Sequence, residues 1–384
     1  METNRTILIA GGGIGGLTLG VALRRAGFAV RVFERAASLR LVGAGITMQT
    51  NAILALRKIG LDAAVAAAGH AMQRGAILDW RGRTLGTMFV SEMAAELGAP
   101  MIAIHRAQLQ EVLQEALGPE PLTLGTKVVG FRDEPEAVVA QLSDGTEARG
   151  DLLVGADGLR STLRAQLLGD GEPRYAGYTS WRGVCDVPGV ADPASTTESW
   201  GRGLRFGVVP IAQGRTYWFA TADARVGGID APDAHGELLP RFGDWHAPIR
   251  ELIEKTPASA IFRTDIHDRP PIRRWARGRV VLLGDAAHPM TPNLGQGGGQ
   301  AVEDAVVLAR CLTFEADVPA ALARFQALRI PRANDFVIQS RRLGALGQWQ
   351  NPLACWVRDQ LFRRVPQSSI RANLRRVLTF EAGR

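Results

Sequence analysis

Residues 6–34 read TILIAGGGIGGLTLGVALRRAGFAVRVFE. Thr6 to Ala10 predicts a strand, the run Gly11 to Gly16 a turn, and Leu17 to Ala26 a helix. A second strand, Ala29 to Phe33, follows and is closed by an acid, Glu34. This is G-x-G-x-x-G inside a βαβ unit with an acid about 20 residues on, the pattern of an adenine dinucleotide site. Gly11 permits the tight turn, Gly13 lets backbone N–H groups approach a pyrophosphate, and Gly16 lets the helix pack on the strand. The helix start presents its partial positive charge to the diphosphate. Glu34 is placed to accept hydrogen bonds from ribose hydroxyls. The stretch by itself leaves FAD and NAD(P) both open.

Outward from there, the chain has 384 residues, and two domains or one elaborated domain are expected. Hydrophobic residues at 46% and charged residues at 22% are ordinary globular usage. No apolar run approaches the ~18 residues of a membrane span, so no integral membrane segment is expected. The first residues show no charged-then-apolar leader, and a cytoplasmic location is expected. Cys185, Cys311 and Cys355 are widely spaced without a C-x-x-C pair, which points to neither a disulfide framework nor a metal site. The net charge of +7 sits on dispersed arginines without a nucleic-acid reading motif. A diphosphate cofactor, a reduced nicotinamide dinucleotide and an anionic substrate account for it, with no nucleic-acid partner.

Residues 42–47, VGAGIT, place two glycines where backbone can approach a ligand. Helices are expected over Asn51 to Ile59, Asp62 to Ala71 and Ile104 to Ala116. Arg106 lies in the first turn of the last, against the helix dipole and so free for another role. Ala76 to Trp80 and Thr84 to Val90 alternate around Arg81-Gly82-Arg83 as a hairpin. Short strands follow over 122–126, 127–132 and 137–142. Residues 151–160, DLLVGADGLR, read as a buried parallel strand delivering Asp157 at its carboxyl end, where open α/β sheets bind ligands. Residues 278–300, GRVVLLGDAAHPMTPNLGQGGGQ, repeat that pattern around Asp285. A helix then runs from Ala301 to Arg310, and the glycines at 295, 297, 298 and 299 expose N–H groups at its start, suited to an anion or a developing charge. Glu303 and Asp304 fall in its first turn, where they favour the dipole. Between these blocks, strands over 179–184, 204–209 and 216–220 predict a separate β-sheet, interrupted by a helix near 248–255. From 319 to 384 the chain reads as helical and basic. Trp349, Trp356, Leu361 and Phe362 lie among Arg358, Arg363 and Arg364, in a helix that caps the cofactor domain or meets a membrane surface or a partner.

The three blocks, G-x-G-x-x-G with Glu34, GADG at Asp157, and GD at Asp285 with its glycine loop, resemble in order and spacing the group A FAD-dependent aromatic hydroxylases, a family of flavoprotein monooxygenases. The resemblance covers nearly the whole chain. Segments 174–181 (RYAGYTSW), 204–210 (LRFGVVP), 214–217 (GRTY), 265–268 (DIHD) and 295–298 (GQGG) are most similar to the FAD-dependent urate hydroxylases within it. The resemblance implies an α/β chain (α+β overall). A Rossmann-like FAD-binding domain would comprise residues 1–74, 101–174 and 269–335. An inserted β-sheet substrate domain would comprise 75–100 and 175–268, and C-terminal helices 336–384. It implies tightly bound FAD held by Gly11, Gly13, Ile14, Gly15, Gly16, Glu34, Arg35, Thr47, Arg106 and the backbone of Val128. Asp157, Asp285, Gly295, Gly297 and Gly298 complete that set, and NAD(P)H is a transient co-substrate.

In the same family the substrate contacts fall on Arg205 and Tyr217. Asn293 stands where the urate enzymes carry an aspartate; an amide is neither base nor counter-charge, which points away from urate. His288 shapes the turn into the flavin loop, with a general-base role as its alternative. The implied reaction is hydroxylation of a small aromatic or N-heterocyclic, anionic substrate by O2 and NAD(P)H through a flavin C4a-hydroperoxide, in a monomer or homodimer. The alternatives are a flavin oxidase or dehydrogenase without oxygen insertion, and a non-catalytic FAD-binding redox protein.

Overall fold

The computed structural model describes residues 3–38 and 44–381. Val42 and Gly43 of the glycine loop, and both chain ends, lie outside the described residues. Thr3–Ala10 is flanked in parallel by Phe28–Glu34 and Leu152–Gly155. Val280–Leu282 and Leu122–Leu124 extend the sheet on either side, again in parallel, and Ala276–Arg277 closes one edge antiparallel. Ile7 to Ile9, Leu152 to Val154 and Val280 to Leu282 are all fully buried, as strands covered by other elements on both faces must be. The register matches Ala10 with Gly155 and Gly155 with Leu282. That alignment brings the three predicted blocks to one edge of the sheet, its carboxyl end.

A second sheet contains seven strands among the described residues, ordered Phe262–Asp268, Arg174–Cys185, Thr216–Asp223, Leu204–Pro210, Ser195–Trp200, Arg74–Asp79, Thr84–Met88. Its two faces differ in chemistry because side chains alternate. Trp181, Phe206, Trp218 and Ala220 point to one face and bury against the helices Ala234–Phe242 and Ile249–Lys255. Phe206 stacks on Trp218 with centroids 5.3 Å apart. The opposite face carries Tyr178, Arg182, Arg205, Tyr217 and Phe219, and it looks toward the rest of the chain. Three helices end the chain: Val318–Gly347, Pro352–Arg364 and Gln367–Leu378. No helix among the described residues is long and apolar enough to cross a membrane.

Several elements differ from the local reading, each for a tertiary reason. Ile102–His105 is a strand paired with Gly45–Met48, not the start of a helix; its β-branched residues are buried by that pairing. The helix begins at Arg106, with His105 Nδ1 accepting from the Ala107 amide at 3.3 Å. The second hairpin strand ends at Met88 rather than Val90, which instead opens the helix Val90–Leu97 and buries with Met93 one turn on. The helices after the first and third blocks start earlier than expected, at Ile14 and Gly297, so glycines lie inside helical turns where propensity alone disfavours them. Glu303 and Asp304 therefore sit in the second turn of Gly297–Phe314 and are fully buried; they are not solvated dipole partners.

Candidate active site

Gly11 adopts φ +110°, and a Cβ there would lie 2.3 Å from the Ala156 carbonyl oxygen. The turn is thus pressed against the second block as tightly as backbone allows. Gly13 is the opposite case. A Cβ on it would meet nothing within 4 Å, and its φ of −75° suits any residue. Nothing in the protein requires a glycine there, so the space in front of it is reserved for a ligand. Gly15 packs instead on Leu283 and Ala301. Glu34 Oε2 accepts from the Gly12 amide at 2.7 Å and Oε1 from the Ala36 amide at 2.9 Å. The acid therefore holds the turn open, with its remaining lone pairs available to a ribose.

Asp157 does two things. Its Oδ2 accepts from the Thr162 amide at 2.8 Å, capping the helix Thr162–Leu168, while Oδ1 is buried without a partner. Burial pushes its carboxyl above the usual range. Asp285 is exposed at the end of the third block, and the chain crowded around its carboxyl raises it above the usual range, opposed by the charges of His288 and Arg106. Arg35 and Arg106 are exposed. Thr47 pairs with Ala103 across the strands 45–48 and 102–105, and the buried Val128 starts the strand Val128–Asp133. The loop carries Gly295 in the left-handed conformation, with Gln49 Nε2 donating to Leu294 O at 2.9 Å; Gly298 packs on Ile46 and Met48. A cofactor with a diphosphate, ribityl hydroxyls and an isoalloxazine ring fits this set: open space over Gly13 at a helix start, an orphaned carboxylate oxygen on Asp157, and an N–H-rich loop.

The substrate-side residues are not one cluster. Arg205, only 2% exposed, donates from Nη2 to Asn293 Oδ1 at 2.6 Å and from Nε to Gln348 Oε1 at 3.2 Å, and pairs with Glu198 at 3.2 Å. Asn293 Oδ1 also accepts from the Tyr178 hydroxyl at 3.2 Å, while its Nδ2 donates to Thr291 Oγ1 and Ser340 O at 2.8 and 2.9 Å. The amide is fully engaged, tying the loop around residues 291–295 to both the sheet and the Val318–Gly347 helix. Tyr178, Asn293, Arg341 and Gln348 also line a cavity of about 260 Å³. Burial raises the Tyr178 phenol, opposed by Arg205.

Tyr217 lies apart, four residues along the strand from the register partner of Arg205, or roughly 13 Å. It sits in an apolar cluster with Ala44, Ala103, Val209 and Ile211, its ring against Gly45. Phe219 fills the interval, lying across Gly207, where a Cβ would come 2.0 Å from the ring. Sequence reasoning missed Tyr178, Glu198 and Gln348, and it missed Arg182. Arg182 is half-buried on this same face, opposite Phe219 and Phe262 in the register, and makes no ion pair or hydrogen bond among the described residues.

The fold and site define an FAD-dependent enzyme of aromatic-hydroxylase architecture. Residues 4–340 match the family described as FAD binding domain, and the chain belongs to that family, as a flavoprotein monooxygenase with FAD as its cofactor. It is 64% identical over 380 residues to the aurachin C monooxygenase/isomerase of Stigmatella aurantiaca, covering 99% of each chain. It is 33% identical over 339 residues to the FAD-dependent urate hydroxylase of Klebsiella pneumoniae, covering 87% of this chain and 88% of that one. Among solved structures it is similar to Klebsiella pneumoniae HpxO complexed with FAD and uric acid, with a TM-score of 0.92 and 29% identity over 98% of this chain and 97% of that.

Proposed function

We propose that this chain uses NAD(P)H and O2 to place one oxygen atom on an aromatic or N-heterocyclic substrate of the aurachin C type, with isomerisation of the oxygenated product in the same site. The carrying observation is the convergence of the Gly13 turn, Asp157 and Asp285 at one sheet edge, facing a sheet whose inward side holds Arg182, Arg205 and Phe219. The 64% identity to a protein named for both activities supports the substrate and the second step. FAD, when bound, supplies hydride acceptance from NAD(P)H and activation of O2. Gly11 to Gly16, Glu34, Arg35, Thr47, Arg106, Val128, Asp157, Asp285, Gly295, Gly297 and Gly298 hold it.

The protein's own work is binding and exclusion of water. Phe219 and Phe262 flank the ring system, and Arg182 holds an anionic or enolate-like oxygen on it, since a guanidinium binds such groups in a fork. Arg205 keeps three donor nitrogens on protein partners, so its part is to position Asn293 and through it the flavin loop. Asn293 has no free lone pair for a base. Tyr217 closes the far end of the site. This division of labour assigns 1–74, 101–174 and 269–335 to the cofactor and 75–100 and 175–268 to the substrate, with 336–384 bracing both. The test is turnover of aurachin C with NADH or NADPH under 18O2. One labelled atom per product and per reduced dinucleotide consumed is expected; peroxide release without labelled product would make the protein an oxidase instead.

A further inference from the structure

The helix Pro352–Arg364 is apolar on its outside. Cys355, Arg358 and Phe362, spaced three and four apart, face inward, with Phe362 set edge-on against Trp200 at 5.1 Å and Arg358 Nη2 bonded to Gly201 O. The opposite arc holds Leu353 (70% exposed), Trp356 (60%), Val357 (39%) and Leu361 (61%), and Trp349 (39%) precedes it. A surface helix of a globular protein normally shows the reverse, and a contiguous exposed apolar patch marks an interaction site.

The rim is cationic. Arg202 lies beside Trp349 through the bond from Gly203 N to Trp349 O, and Arg364 ends the helix; both are exposed and neither is paired among the described residues. Arg363 reaches Asp79 at 3.5 Å, at the base of the turn that carries Trp80 and Arg81. Two acids of this region are already engaged: Asp359 by Arg358, and Asp223 by the amides of Gln348 and Gln350. The helix itself carries three arginines against one acid.

We infer that this helix docks the enzyme on an anionic lipid surface, lying in the headgroup layer with Leu353, Trp356 and Leu361 inserted and Arg202 and Arg364 on lipid phosphates. Tryptophan and leucine on one arc, ringed by arginine, is the composition that partitions into that layer. At 13 residues the helix is too short to span a bilayer. Gln348, which lines the 260 Å³ cavity, directly precedes Trp349, so docking sets that cavity beside the lipid.

The experiment is flotation of the FAD-loaded full chain with phosphatidylcholine vesicles, with and without 30% phosphatidylglycerol (roughly the anionic content that makes such electrostatics measurable). Binding is expected to be roughly tenfold tighter on the anionic vesicles. It should be lost in Trp356→Ser/Leu361→Ser and weakened in Arg364→Gln, with FAD content and NAD(P)H oxidation in solution unchanged. Leu353→Ser serves as a second variant should the double one misfold. Absence of binding to either vesicle, or equal binding by the variants, would overturn the inference. So would a dimer abolished by the same substitutions, which would assign the patch to a second copy.

Discussion

At Gly13 and Arg182 a single side chain separates what the protein needs from what its ligands need. Gly13 has a backbone that any residue adopts and empty space around its missing Cβ. Gly13→Ala should therefore leave the melting temperature of the FAD-free protein within about two degrees, since the exchange falls at a helix N-cap, where it costs about 0.5–1 kcal/mol. It should weaken FAD by roughly tenfold or more, because a methyl group then occupies the ligand's approach. Flavin-fluorescence titration beside apo-protein melting separates the two effects; equal losses in both would mean that the glycine serves the fold. Arg182 is half-buried without a partner, so its removal strips no internal bond. Arg182→Met is expected to raise KM for an anionic aromatic substrate by roughly 10- to 100-fold, the scale of a charge-assisted hydrogen bond of about 1.5–3 kcal/mol. FAD content should not change. A KM within twofold of the parent would take Arg182 out of the substrate pocket.

Among the elements, the helix Gly297–Phe314 decides most, because its buried acids hold the turn carrying Asp285 and the loop proposed to face the flavin. Asp304 accepts from His288 at 2.5 Å and from the Gly284 amide at 3.0 Å, fixing the turn that presents Asp285, and it pairs with Arg329 at 2.6 Å. Glu303 pairs with Arg329 and Arg332 and accepts from Asn51 Nδ2 at 2.6 Å. Burial pushes both carboxyls up, but Arg329 with Arg332 outweighs it at Glu303, and His288 with Arg329 at Asp304; both end below the ordinary range. A depressed carboxyl contributes stability that is complete above its unfolded value of about 4 and is lost as pH falls through the lower folded value. The folded state should accordingly hold steady from neutrality to about pH 5 and weaken steeply below about pH 4. Glu303→Gln should cost about 1.5–3 kcal/mol at pH 7, because Arg329 keeps Asp304 but loses one of its two carboxylates and Arg332 loses its carboxylate, and should flatten the acid limb. Urea denaturation across pH measures both; an unaltered acid limb would locate the acid lability elsewhere.

Across the whole molecule, the cofactor site is built from strand ends far apart in the chain, joined by the register of Ala10, Gly155 and Leu282. Binding there links the pieces, so removing FAD should lower the melting temperature, with about 2.7 kcal/mol withdrawn when FAD had stood at 100 times its Kd. Differential scanning of apo and reconstituted protein checks this, and an identical melting temperature would show that FAD does not bind the folded chain in preference to the unfolded one. The βαβ turn and the two Asp-bearing strand ends were legible in the sequence because each is a local pattern, carried by glycine spacing and apolar runs that need no distant partner to be read. Tertiary structure alone decided the rest. Glu303 and Asp304 look like ordinary first-turn acids until Arg329 arrives from a helix 25 residues away. Arg205 looks like a free cation until Asn293 and Gln348, 88 and 143 residues distant, take its donors. Arg182 draws no notice until the register sets it, unpaired, between Phe219 and Phe262. A hydrogen-bond partner is chosen by strand register and helix docking, and neither leaves a periodic trace in the residues on either side of the one that bonds.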